Sequence, residues 1–154
     1  MTYNDYGHLT QDPANAALGY QIGPKSVITH PSGGQQLPGK GFYEVSGLAW
    51  SGGGRVDRVE VTTDGGLTWT DAKLRGTAQP MAHTRFTFEW DWDGSACELQ
   101  SRCIDEIGQV QPSRAQVAEF WNQPPDQPPR VRGQDNSIQP WRVDSDGSIH
   151  NAIA

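Results

Sequence analysis

The sequence predicts an all-β protein: an immunoglobulin-like sandwich of two sheets, with a polar N-terminal arm and a Pro-rich C-terminal tail. Residues 41–74, GFYEVSGLAWSGGGRVDRVEVTTDGGLTWTDAKL, hold three runs rich in Val, Tyr, Trp and Thr, separated by two glycine turns, Gly52-Gly53-Gly54 and Asp64-Gly65-Gly66. Those residue types suit a pleated, half-buried surface, and glycine in the turns supplies the backbone angles that close a hairpin without a Cβ clash. Phe86, Phe88, Trp90 and Trp92 alternate strictly with Arg85, Thr87, Glu89 and Asp91, the period-2 pattern of a strand with one face in a core. The 18 Gly and 11 Pro among 154 residues fit many short strands joined by turns.

Taken in order, residues 1–23 are polar and aperiodic and read as an arm or a severed linker. Residues 25–30 read as the first strand and 42–50 as the second, with a bulge expected at Gly47 because the apolar parity changes between Val45 and Leu48. Residues 56–62 and 67–74 read as a hairpin, 85–92 as the next strand, and the run after Asp93-Gly94 as a strand placing Cys97, Leu99, Ser101 and Cys103 on one face. Residues 105–112 read as a turn region and 115–121 as a seventh strand. Seven short runs with frequent turn signals point to a two-sheet sandwich. The stretch NQPPDQPPR at 122–130 cannot continue a sheet, since proline has no N–H to donate, and reads as an extended connector. A short strand at 141–143 and a turn at Asp146-Gly147 close the chain. The implied division is arm 1–23, sandwich 24–122, and connector with terminal strand 123–154.

The net charge of −6 argues against a nucleic-acid surface, which needs clustered Lys and Arg; the few clustered arginines near Arg130 and Arg132 read as a solvated tail. No apolar run approaches the ~18 residues of a membrane-spanning helix. Cys97 and Cys103 lie six residues apart on one predicted strand, so about 20 Å apart, too far for a disulfide. With four dispersed His and two Cys, no metal-ligand spacing appears.

The order of these motifs resembles the C-terminal dimerisation domain of molybdenum-cofactor oxidoreductases of the sulfite oxidase family. Residues 49–54 (AWSGGG) and 58–69 (RVEVTTDGGLTW) resemble that domain's turn and hairpin. Residues 25–34 resemble its first strand, 99–112 (LQSRCIDEIGQVQP) its late strand and turn, and 138–143 (IQPWRV) its terminal strand. Within the family the chain looks most like the molybdenum subunit of bacterial sulfur-oxidising sulfane dehydrogenase. The resemblance covers roughly residues 24–151. It implies a dimerisation unit whose molybdenum, pterin and metal-ligating cysteine reside in a separate, preceding domain, so that no cofactor, metal or catalytic residue is expected in this chain. The implied partners are a second copy, the cofactor domain and a c-type cytochrome subunit, with neither nucleic acid nor membrane; the implied location is the bacterial periplasm. The resemblance also places on Arg142 a possible role at the anionic substrate pocket, a role a guanidinium fork suits.

Residues 62–69 also fit the S/T-x-D-x-G-x-T-W turn pattern. There Asp64 accepts backbone N–H groups, Gly65 and Gly66 take the left-handed angles, and Trp69 packs beneath. The pattern stabilises a turn and catalyses nothing. It occurs once, whereas a propeller would repeat it in every blade. Glu89, Asp91 and Asp93 read as a solvated strand face rather than an acid–base pair. The competing reading is a free-standing module that binds carbohydrate or protein. A sugar platform would require two or three coplanar, exposed aromatics, whereas the apolar parity of Trp50, Trp90 and Trp92 and the hairpin position of Trp69 place them mostly in the core.

Overall fold

A computed structural model describes residues 2–3, 9–10, 22–120 and 135–153. Strands β1 (Thr2–Tyr3) and β2 (Leu9–Thr10) pair antiparallel as a small ribbon inside the predicted arm. The sandwich follows: β3 (Lys25–His30), β4 (Gly41–Trp50), β5 (Val56–Thr62), β6 (Thr70–Asp71), β7 (Lys73–Arg75), β8 (Thr84–Trp92), β9 (Cys97–Asp105), α1 (Arg114–Phe120), β10 (Trp141–Val143) and β11 (Ile149–Asn151). One sheet has the order β3-β4-β8-β7 and the other β11-β10-β9-β5-β6, all pairs antiparallel. The expected two-sheet sandwich is therefore the observed one. The Pro-rich connector, with Trp121, Arg130 and Arg132, lies outside the described residues.

The core is built by alternation. Val45 and Ala49 of β4, Phe86, Trp90 and Trp92 of β8, and Ile28 of β3 face Val59 and Val61 of β5, Leu99 and Cys103 of β9, Val143 of β10 and Ile149 of β11. Fully burying a Val, Leu or Phe side chain contributes about 1.5–3 kcal/mol, so this set supplies most of the fold's driving force. Arg85, Glu89 and Asp91 of β8 face out, as their parity requires.

Four local expectations are corrected. First, β4 carries no bulge. Its pairing with β8 is regular from Gly41 to Ala49, and Val45, Gly47 and Ala49 share the buried face. The irregularity lies in the neighbouring strand, where the β3–β4 register shifts between Ile28 and His30. Gly47 is glycine for space: a Cβ there would lie 2.3 Å from the Phe86 ring and 2.3 Å from the Val27 carbonyl oxygen.

Second, residues 67–74 are not one strand. Thr70–Asp71 pairs with β5, and after Ala72, whose N–H donates to the Val59 carbonyl (2.8 Å), Lys73–Arg75 pairs with β8 in the other sheet. Third, residues 115–121 were expected as a strand, but Arg114–Phe120 is helical. The reason is a capping box. The Ser113 hydroxyl accepts from the Gln116 N–H (3.2 Å), while the Gln116 side-chain oxygen accepts from the Ser113 N–H (2.8 Å), satisfying two donors at the helix start. Val117 of this helix is buried. Fourth, β11 lies beyond the expected terminal strand; it pairs with β10 after the Asp146-Gly147 turn.

Candidate functional site

The Asp64 turn forms as its residue pattern demands. Asp64 Oδ1 accepts from the Thr62 hydroxyl (2.6 Å) and the Thr68 N–H (2.9 Å), and Oδ2 accepts from the Thr68 hydroxyl (2.6 Å). Gly65 and Gly66 take φ of 73° and 95°, and the Trp69 indole N–H donates to the Gly66 carbonyl at 3.1 Å. These bonds, the Thr62 hydroxyl first, hold the Asp64 carboxyl well below the ordinary carboxylate range. All of the carboxylate's partners are internal to the turn, so its role is architectural.

Next to this turn, the outer face of the five-stranded sheet closes its charges upon itself. Arg102 lies 4.2 Å above the Trp69 ring and donates to Glu60, which Arg58 also meets at 3.3 Å. Burial alone would raise the Glu60 carboxyl; the hydrogen bonds from Arg102 and Arg58 outweigh it and hold the group below its ordinary value. Arg142 stands on the same face, opposite Glu98 and His150 in register, with its side chain 58% exposed. Its Nε donates to Asp144 at 2.9 Å, and Asp144 also meets His150 at 3.3 Å.

A buried polar tie at Gln111, within the expected 105–112 turn region, holds the two sheets together. Gln111 is 2% exposed. Its side-chain oxygen accepts from Ser26 N–H (2.7 Å), Ser26 hydroxyl (2.8 Å) and Cys103 N–H (3.1 Å), and its amide nitrogen donates to the Ser26 and Ser137 carbonyls, each at 3.3 Å. Nearby, buried Asp105 accepts from the Ser51 hydroxyl and from the N–H groups of Ile107 and Gln109, shaping the 105–109 turn. A Gln and an Asp bracketing a glycine-centred turn were the available signal.

Cys97 and Cys103 are both free. Burial first, then the charges of Asp93 and Asp105, push their thiols up to about 11 and about 12. Both lie on β9 of the sandwich, and no step of cofactor chemistry is assigned to them. Among the described residues no group of three His, Cys, Asp or Glu side chains converges to hold a metal ion. Trp90 and Trp92 are 6% and 3% exposed, and Trp50, Trp69 and Trp141 are half-buried. Trp50 meets the His83 ring edge-on (centroids 5.1 Å apart, interplanar angle 72°). No exposed, coplanar indole platform exists among the described residues, and the carbohydrate-module reading has no support.

Comparison with known proteins agrees with this architecture. The profile of the Mo-co oxidoreductase dimerisation domain matches residues 17–123. Sulfite oxidase of Gallus gallus is 35% identical over 119 residues, which is 73% of this chain and 25% of that protein. Mitochondrial sulfite oxidase of Rattus norvegicus is 41% identical over 108 residues, covering 64% of this chain and 19% of that protein. The crystal structure of the sulfane dehydrogenase SoxCD from Paracoccus pantotrophus superposes with a TM-score of 0.75 at 45% identity, over 84% of this chain and 32% of that chain. The chain thus spans between a fifth and a third of the length of these relatives. With a two-sheet sandwich, its turn motifs in order and a profile match across most of the sandwich, the chain belongs to the Mo-co oxidoreductase dimerisation domain family.

Proposed function

We propose that this chain is the dimerisation unit of a larger molybdenum-cofactor oxidoreductase that oxidises sulfite or sulfane sulfur, and that it pairs with a second copy about a two-fold axis. The observation that carries the reading is the similarity to SoxCD along 84% of this chain at 45% identity. In this reading the molybdenum cofactor resides in a preceding domain of the longer protein. The present chain supplies rigidity and a self-associating surface and is not catalytic by itself. Electrons pass from the cofactor domain to a separate c-type cytochrome subunit, in the bacterial periplasm. The working division is an arm (1–23) and a sandwich made of 24–122 together with the terminal strands β10 and β11, which follow the connector.

In the same reading Arg142 reaches toward an anionic substrate in the assembled enzyme. Support comes from its place on the terminal strand motif IQPWRV and from its exposed guanidinium. Two measurements test the proposal. Sedimentation equilibrium of the purified chain is expected to show reversible self-association, and elemental analysis is expected to find no stoichiometric molybdenum; a monomer at every concentration, or one molybdenum per chain, overturns it. For Arg142, an Arg142→Ala change in the full-length enzyme is expected to raise the KM for substrate; an unchanged KM removes the pocket role.

A further inference from the structure

The two outer faces of the sandwich differ in kind. On the five-stranded sheet the charges are paired within the chain: Arg58, Arg102, Arg142 and His150 all meet carboxylates. The four-stranded sheet leaves charges and apolar groups open. Its outer face is a ladder of cross-strand rows between β4 and β8, Phe42 opposite Asp91, Glu44 opposite Glu89, Ser46 opposite Thr87, and Leu48 opposite Arg85, with Trp50 and His83 stacked at the end. Phe42 is 71% exposed, and Leu48 and Trp50 are half-buried. Glu44 and Glu89 are like charges side by side, as are Arg85 and Arg75, an arrangement that destabilises a lone sheet. Arg75 relieves one of them by reaching Glu44 at 3.1 Å; Glu89 and Arg85 remain.

We propose that this face is the self-association surface, and that two copies meet on it about a two-fold axis lying across the strands at Ser46 and Thr87. The inference rests on the dimerisation reading above. A rotation about that axis reverses the strand direction and lays each row on the row equally far from the centre. Glu89 of one copy then meets Arg85 of the other, twice over. Phe42 meets Trp50, and Asp91 meets His83. At the centre lie the small pair Ser46 and Thr87 of β4 and β8, with His30 of β3 and Lys73 of β7 in register at the two ends of that row. The face is thus complementary to itself only with the strands antiparallel between copies; an axis along the strands would set Glu89 near acidic groups and Arg85 near basic ones.

Size sets the strength. Rows repeat at ~6.7 Å and strands at ~4.8 Å, so five rows on three to four strands cover on the order of 450 Å² per copy. A total near 900 Å² lies below the ~1,200 Å² of standard complexes. A weak, concentration-dependent dimer follows for the chain alone.

The test is a charge swap on the full chain read by sedimentation equilibrium. Arg85→Glu and Glu89→Arg are each expected to weaken association about tenfold or more, and the double variant to restore it to within about threefold. Both side chains are exposed, and circular dichroism checks that each variant folds. Arg58→Glu on the opposite face is expected to leave association unchanged. A wild-type dimer indifferent to the single swaps, or a double variant that fails to recover, overturns this surface while leaving the dimerisation reading intact. A wild-type chain that stays monomeric overturns both.

Discussion

The indole N–H of Trp141 donates to the carbonyl oxygen of Ile28 at 3.0 Å, joining residues 113 positions apart and two different sheets. Ile28 sits on β3, an edge strand, where the register with β4 shifts. Its carbonyl would otherwise face outward without a strand partner. The same ring lies against Gly33, where a Cβ would come within 2.7 Å of it. Trp141→Phe is expected to cost about 1 kcal/mol for the lost hydrogen bond, and Trp141→Ala about 3 kcal/mol or more. Urea unfolding at neutral pH checks both, and a Trp141→Phe chain as stable as the native one would show that the indole N–H contributes nothing.

Gln111 closes the same strand two residues earlier. Replacing it with Leu keeps the volume but leaves the Ser26 and Cys103 N–H groups buried without acceptors, each costing about 1–3 kcal/mol. Gln111→Leu is therefore expected to be among the most damaging single changes outside the apolar core, and Gln111→Glu should rescue part of the loss because a carboxylate can still accept from both amides. Thermal unfolding of the two variants side by side decides it.

Gly47→Ala is expected to destabilise by about 3 kcal/mol or more, as overpacking against a carbonyl leaves little room to relax. One obstacle is the Phe86 ring, which can turn; the other is the Val27 carbonyl oxygen of the paired strand, which cannot. Adding Phe86→Leu to Gly47→Ala should therefore recover only part of the loss. Full recovery would show that the ring alone sets the limit.

The Asp64 turn makes a pH prediction with a definite sign. The carboxyl is held below its ordinary value in the folded chain, while the unfolded chain has the ordinary value of about 3.9. The stabilisation is fully present above about pH 4 and is lost as pH falls from there toward the folded value. Asp64→Asn is expected to melt several degrees lower at pH 7, with the gap from the native chain narrowing below pH 4. A gap that stays constant with pH would show that ionisation of Asp64 is not involved.

What was legible in the sequence follows the strength of the local signal. The β8 alternation and the glycine turns named strands that the structure contains, because a two-residue period and a left-handed glycine are both set by nearby atoms. The helix at 114–120 was missed because seven residues carry little periodicity; its real signature was the Ser113–Gln116 capping box. The passage of residues 70–75 from one sheet to the other turns on Ala72, a choice made by tertiary packing that leaves no trace in composition. The same holds for Gln111, whose partners lie 85 residues away at Ser26 and 26 away at Ser137. Arg142 lies on β10, within the motif IQPWRV, and its neighbours Asp144 and His150 come into view only with the turn and strand that follow.

Trp141 and Gln111 have a joint consequence for how copies of this chain can meet. An edge strand with free N–H and C=O groups is a template onto which another chain can add a strand, the route to runaway cross-β stacking. On β3 the outward groups of Ser26 are occupied by the Gln111 side chain from the segment after β9, and the Ile28 carbonyl by Trp141 of the opposite sheet. On β11 the backbone of residues 34 and 35 takes both groups of Ile149, and Leu37 takes the Gly147 carbonyl in the turn before it. Both selvedges on this side of the fabric are hemmed, so strand addition is blocked at these two edges, which turns the pairing of copies toward the broad surface of a sheet.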